Sequence, residues 1–181
     1  MLRRALALGL RAQWALIQPF GDTKVLPLYQ RYFMGGETHQ YYPELVFDNH
    51  QVEPPKTPEE GYHVTEDLVD DAIGWINQVN ATNPTKPWFM YFSTGAIHGP
   101  HHTPKAYREK YKGAFDAGWD KYRERVFAKA KAKGWIPQNA QLTPRPASMA
   151  SWDSIPEDEK PFQRRLMEVF AGFTEHADNN A

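Results

Sequence analysis

Cysteine is absent from the 181 residues. Its absence excludes disulfides, zinc–thiolate centres and thiol catalysis, and leaves the redox compartment open. No stretch approaches the roughly 20 consecutive apolar residues that a membrane-spanning helix needs, so no membrane partner is expected. An excess of one charge is lacking as well. The chain carries 21 basic and 22 acidic residues, a formal net charge of -1. Such a balance gives no electrostatic footprint for nucleic acid, and none is expected as a partner. No internal repeat or low-complexity tract is present.

What the chain has in quantity is proline and tryptophan, 15 and 6 respectively, within a composition that is 41% hydrophobic. A core can be built from this, and the proline usage suits a loop-rich part of a larger enzyme better than a helical bundle. The first twenty residues begin with Arg3 and Arg4 and continue into an apolar run, the outline of a secretory signal. Arg11 interrupts that run and no small-x-small cleavage site follows. Residues 33–63 are rich in turn signals: Gly35-Gly36, Pro43, Asp48-Asn49, Pro54-Pro55 and Thr57-Pro58. One short strand is expected near Leu45–Phe47.

A helix is predicted next. Thr65 is the cap candidate, Glu66 and Asp67 complement the dipole in the first turn, and Val64 with Val69 can form a staple. Leu68, Val69, Ala72, Ile73 and Ile76 recur at three- and four-residue spacing as one buried face. The helix is expected to end between Asn77 and Asn83, before Pro84. Lys86–Ser93 follows as a continuous apolar and aromatic run, the pattern of a strand buried on both faces. Helix then buried strand is half of a parallel unit, which makes the fold class α/β, a mixed or parallel sheet flanked by helices. Further helices are expected at Pro104–Tyr111, Gly118–Lys133 and Glu157–Asp178. The last is expected to align Phe162, Leu166, Val169, Phe170 and Phe173 on one side.

The dense cluster of reactive groups is His98-Gly99-Pro100-His101-His102, in a loop at the carboxyl end of the predicted strand, where open α/β sheets gather ligands. Imidazole can accept a proton, donate to an oxyanion when charged, or bind a metal. A zinc centre would need further ligands converging from elsewhere, because two adjacent histidines rarely point at one ion. Three readings are open from spacing alone: a surface loop, a catalytic loop and a metal loop.

The run Lys86-Pro87-Trp88-Phe89-Met90-Tyr91-Phe92 with Gly95-Ala96-Ile97-His98-Gly99-Pro100-His101-His102 resembles a segment of bacterial arylsulfatases. So do Gly35–Pro43 and Gly61–Asp67 upstream. Lys110–Gly113, Phe115–Asp120, Trp152–Ser154 and Met167–Phe173 extend the similarity downstream. The resemblance begins at Phe33 and runs in order to the end of the chain. It implies an alkaline-phosphatase-like fold, a small-molecule sulfate ester as substrate, and a calcium ion held by Asp and Asn. It also implies a formylglycine nucleophile made from the first residue of C/S-x-P-x-R. His98 matches the family's active-site histidine, which bonds the sulfate and assists departure of the alcohol; His101 and His102 fall at the pocket rim.

The departures from that pattern are equally specific. There is no cysteine, and none of Ser93, Ser148, Ser151 or Ser154 begins an S-x-P-x-R run. The opening aspartate pair, the later Asp-Asn pair and the active-site lysines have no counterpart, so no residue is assigned to a metal. Asp70-Asp71 reads as helix surface and Asp178-Asn179 as part of the last helix. The expectation is a partial catalytic domain over 33–181, inactive by itself, behind an unmatched segment 1–32 translated partly out of frame from a frameshifted or truncated gene. A non-catalytic remnant that binds an aryl ligand, and a phosphate or phosphonate monoester hydrolase of the same superfamily, are the alternatives.

Overall fold

The computed structural model describes residues 14–19, 29–33, 39–47 and 50–181. The signal-like start and the Gly35-Gly36 and Asp48-Asn49 turn signals lie outside the described residues. The chain divides into two compact units. One runs to His102 and also takes Phe173–Ala181; the other is Thr103–Gly172.

The first unit is built on a five-stranded sheet: β1 (Trp14–Pro19), β2 (Tyr29–Phe33), β3 (Leu45–Phe47), β4 (His50–Val52) and β5 (Trp88–Phe92). The spatial order is β4-β3-β2-β1-β5. Each described ladder is antiparallel, with Leu16 opposite Tyr91 and Phe33 opposite Leu45. Helix α1 (Val64–Thr82) precedes β5. The α/β class therefore stands, with three differences in detail. The described ladders are antiparallel, not the mixed or parallel sheet expected, because β5 pairs with β1 from early in the chain rather than completing a helix-linked parallel unit. Two of the strands, β1 and β2, fall at residues 14–33, where no strand is expected from the sequence. And β5 is not buried on both faces. Met90 and Phe92 are half-buried against α1, whereas Phe89 and Tyr91, pointing the other way, are 48% and 59% exposed. One covered face is the ordinary condition of an antiparallel sheet.

The core of this unit joins Leu45, Tyr62, Val64 and Leu68, with Val52 and Phe92 beside them. Farther along α1, Trp75 and Val79 pack on Phe47, Met90 and Phe92. The buried stripe of α1 is thus Val64, Leu68, Ala72, Trp75 and Val79. Ile73, assigned to the core by its spacing, is half exposed. The stripe can be read with two phases, and the position of the sheet selects the one led by Trp75. Inside the helix start, the Tyr62 hydroxyl donates to the buried Asp67 carboxylate at 2.9 Å.

The second unit holds α2 (Lys105–Lys110), α3 (Gly118–Ala132) and the beginning of α4 (Lys160–Asn180). Gly118 starts α3 at φ +76°, and a Cβ there would lie 2.1 Å from the Trp152 indole, so only glycine fits. The Asp120 carboxylate accepts from the Trp152 backbone N–H at 2.8 Å, and that bond, with Arg145 beside it, holds the carboxyl below its ordinary range. Glu168 accepts from Gly113 N–H at 2.8 Å and pairs with Arg165 at 2.8 Å. The apolar side expected for α4 is buried only in part, at Phe173 and, by half, at Val169. Phe162, Leu166 and Phe170 are 64%, 42% and 40% exposed, while Glu168, Phe173 and His176 are buried.

Candidate functional site

Residues 93–102 leave the end of β5 and fold back on themselves. Thr94 Oγ1 donates to Ala96 O at 3.1 Å, and His98 N–H donates to Gly95 O at 3.0 Å. The Ala96–Ile97 and Gly99–Pro100 peptide bonds are cis. The three imidazoles that sit together in the sequence then diverge. His98 is exposed, and its Nδ1 donates to Gly99 O at 2.8 Å. A carbonyl can only accept, so Nδ1 carries a proton, and Nε2 is the nitrogen outside this bond. His101 turns inward on its own loop, with Nε2 donating to Ile97 O at 3.1 Å and its ring edge-on to Phe173 at 6.3 Å. His102 is half-buried, and its Nδ1 accepts from Gln40 N–H at 3.2 Å. Its ring lies 3.9 Å from that of His39 and stacks on Tyr41 at 6.0 Å. Burial and the neighbouring His39 hold His102 below the ordinary histidine range.

Under this loop lies a second histidine group that the local spacing did not reveal. His63, only 2% exposed, is the N-cap of α1, the role expected of Thr65. Its Nδ1 accepts from Thr65 N–H at 3.1 Å, and its Nε2 donates to His102 O at 3.0 Å. One nitrogen accepting and the other donating is the pattern of a neutral ring with its proton on Nε2. Thr65, by contrast, is fully buried one position inside the helix. The His63 ring meets His176 at 4.5 Å, Tyr41 at 5.1 Å and Phe173 at 6.2 Å, the three contacts all edge-on. His176 is fully buried, with Nε2 bonded to Glu66 Oε1 at 3.0 Å. Burial pushes His63 down to about 4, with His176 acting in the same direction and the bond to His102 O opposing it. His63 stands directly before the acidic first turn Glu66-Asp67, which was the available signal. Histidine is outside the usual set of N-cap residues, so that position pointed to threonine instead.

The calcium ion implied by the resemblance has no fit here. Among the described residues no group of three or more His, Asp or Glu side chains could hold a metal ion. Asp70 is exposed on α1, and Asp178 and Asn179 are exposed near the end of α4.

A family model described as Sulfatase matches residues 26–179. An uncharacterized sulfatase of Schizosaccharomyces pombe is 34% identical over 108 residues, which is 58% of this chain and 19% of that protein. An arylsulfatase of Klebsiella aerogenes is 25% identical over 141 residues, 77% of this chain and 28% of that enzyme. The chain therefore spans less than a third of the length of either of these curated relatives.

Proposed function

The chain belongs to the sulfatase family, with its alkaline-phosphatase-like fold, and on that premise we propose that it carries the histidine loop of an active site that hydrolyses sulfate esters, arylsulfates among them. The observation that supports this most directly is the state of His98. Its Nδ1 is committed to Gly99 O, its ring is exposed, and Nε2 is the nitrogen left for a substrate. Protonated there, His98 donates to a sulfate oxygen or to the oxygen of the departing alcohol. When the S–O bond of the ester breaks, that oxygen takes the electron pair, and the proton on Nε2 neutralises it. His101 and His102 shape the loop beside it, through Ile97 O and Gln40 N–H respectively.

The nucleophile is not supplied by these residues, since the chain has no cysteine and none of its serines opens an S-x-P-x-R run. Sulfatases generally bind a metal; calcium, the ion the resemblance implies, would take its ligands from groups other than those described. Nothing assigned to His98 passes through it. By itself the chain is proposed to be inactive.

The test is a titration of the purified chain with 4-nitrophenyl sulfate and, separately, 4-nitrophenyl phosphate, with and without calcium. Nitrophenol release and the ring 15N signals of His98 are followed together. The expected outcome is no turnover, a saturable shift at His98 Nε2 with the sulfate ester, and loss of that shift in His98→Ala. Preferential binding or cleavage of the phosphate ester would favour a phosphoesterase, and an undisturbed His98 would refute the role given to it. A purely binding role has one observation in its favour, a shallow groove lined by Tyr41, Tyr42, Pro54, Pro55 and Pro58. Nitrophenyl binding mapped to those tyrosines rather than to His98 would support it.

A further inference from the structure

We propose that His63 is the positioning residue of the His98 loop, tying that loop to the first turn of α1 through a single neutral imidazole. This rests on the reading that His98 meets the sulfate ester. The loop bearing His98 ends at His102, and His102 is held from two sides. Its carbonyl accepts from His63 Nε2 at 3.0 Å, and its own Nδ1 accepts from Gln40 N–H at 3.2 Å. His63 is held in turn, because its Nδ1 accepts from Thr65 N–H at 3.1 Å. The same ring thus caps a helix with one nitrogen and anchors a loop with the other. Phe173, Tyr41 and His176 pack around it and leave it 2% exposed. A hydrogen bond in so dry a setting is stronger and more directional than one on the surface.

Both halves of the tie exist together only while His63 is neutral, since the charged ring keeps Nε2–H on His102 O and loses the cap. A proton on Nδ1 removes the acceptor that Thr65 N–H needs and puts a positive charge into the packed group. The titratable and charged groups facing it are His176 and Glu66, His102 with His39 behind it, and Asp67 bonded to Tyr62 in the same helix turn. The bond to His102 O and the Glu66 carboxylate favour the charge; Asp67 is already engaged by the Tyr62 hydroxyl, and burial outweighs them.

Two substitutions divide the two functions of the ring. In His63→Asn the side-chain oxygen stands near the place of Nδ1, so the cap on Thr65 N–H survives, but nothing reaches His102 O. In His63→Gln the amide reaches the place of Nε2 and can donate to His102 O, while the cap is lost. The readout is amide hydrogen exchange in the full chain. The loop is reported by His98 N–H and His102 N–H, which donate to Gly95 O and Pro100 O; the helix start is reported by Thr65 N–H.

The expected result is that His63→Asn speeds exchange at His98 and His102 by about three- to tenfold, the loss of one hydrogen bond, with Thr65 unchanged. His63→Gln should restore the loop and release Thr65 instead. Unchanged loop exchange in His63→Asn overturns the proposal, as does parallel loosening of loop and helix start in both variants. If neither variant folds, the wild-type chain gives the answer. Thr65 N–H exchange should then accelerate in step with protonation of the His63 ring, followed by its 15N shift, while His98 and His102, still anchored by Nε2–H, do not follow it; loop and helix start loosening together as the ring charges overturns the proposal. A 4-nitrophenyl sulfate titration separates the two claims. A weaker shift at His98 in His63→Asn than in wild type supports both. No shift in wild type refutes the sulfate-ester reading alone, and the exchange comparison still decides the tie.

Discussion

Mild acid should destabilise the first unit through one residue. His63 is neutral in the folded chain, with a pKa pushed from 6.5 down to about 4, chiefly by burial. The unfolded chain takes up a proton at His63 near pH 6.5, whereas the folded chain does so only near 4. Between those values the unfolded state binds more protons, so stability rises with pH. The contribution of the neutral ring is complete above pH 6.5, declines as the pH falls towards about 4, and declines no further below that. At about 1.4 kcal/mol for each pH unit, the whole interval is worth about 3 kcal/mol, and the part between pH 7 and pH 5 about 2 kcal/mol. That is a large fraction of the 5–15 kcal/mol typical of a folded domain. Glu59, Glu109 and Asp120 titrate below their ordinary carboxylate values and lose their contributions in stronger acid, so pH 7 to 5 isolates the histidines. His102 is shifted in the same direction as His63 and adds to the slope in every variant that keeps it.

The assay is urea unfolding followed by circular dichroism at pH 7, 6 and 5, in wild type and in His63→Asn, with stability extrapolated linearly to zero denaturant. Asparagine keeps a cap for α1 and removes the titrating group. Wild type should lose about 2 kcal/mol more than the variant over this interval. Parallel pH profiles for the two proteins would refute the assignment of the acid sensitivity to His63, and with it the claim that the ring is held neutral.

Two further predictions concern packing. Trp75→Ala should cost about 3–5 kcal/mol in the same unfolding experiment, because it empties the contact of α1 with Phe47, Met90 and Phe92. Ile73→Ala should cost less than about 1 kcal/mol, since that side chain is half exposed, and a reversed order would mean the helix presents its other phase to the sheet. Gly118→Ala should destabilise the second unit by about 2–5 kcal/mol, the sum of a left-handed backbone and a collision with Trp152. Gly134→Ala, also at positive φ (+70°) but with open space around it, should show only the backbone part, about 1–2 kcal/mol. Equal losses at the two glycines, measured by thermal unfolding, would remove Trp152 from the account.

Much of the architecture is legible in the sequence because it is locally encoded. The acidic first turn, the run of three- and four-residue spacings and Pro84 delimit α1, which runs from Val64 to Thr82. Leu45–Phe47 is a strand, and the aromatic run before Ser93 is another. Proline before Lys105 and Gly134 after Lys133 mark helix limits within a residue or two of those observed. The loop carrying His98 is visible for the same reason, since glycine and proline around an exposed imidazole need no distant partner to stand out.

What the tertiary structure alone decided is which of several locally permitted choices was used. Ile73 and Trp75 both lie on apolar lines of α1, and only the position of the sheet buries one and leaves the other in water. Lys86–Ser93 has the composition of a strand covered on two sides, yet α1 covers only the Met90 and Phe92 face, and which faces are covered is set by packing between elements rather than by the strand's own residues. The histidines show the same division most clearly. His98, His101 and His102 are close in sequence and part in space, whereas His63 and His176, far apart in sequence, meet buried, with half-buried His102 and exposed His39 beside them. An imidazole buried among others is neutral for reasons of desolvation and neighbouring charge, and neither exists until the chain has folded.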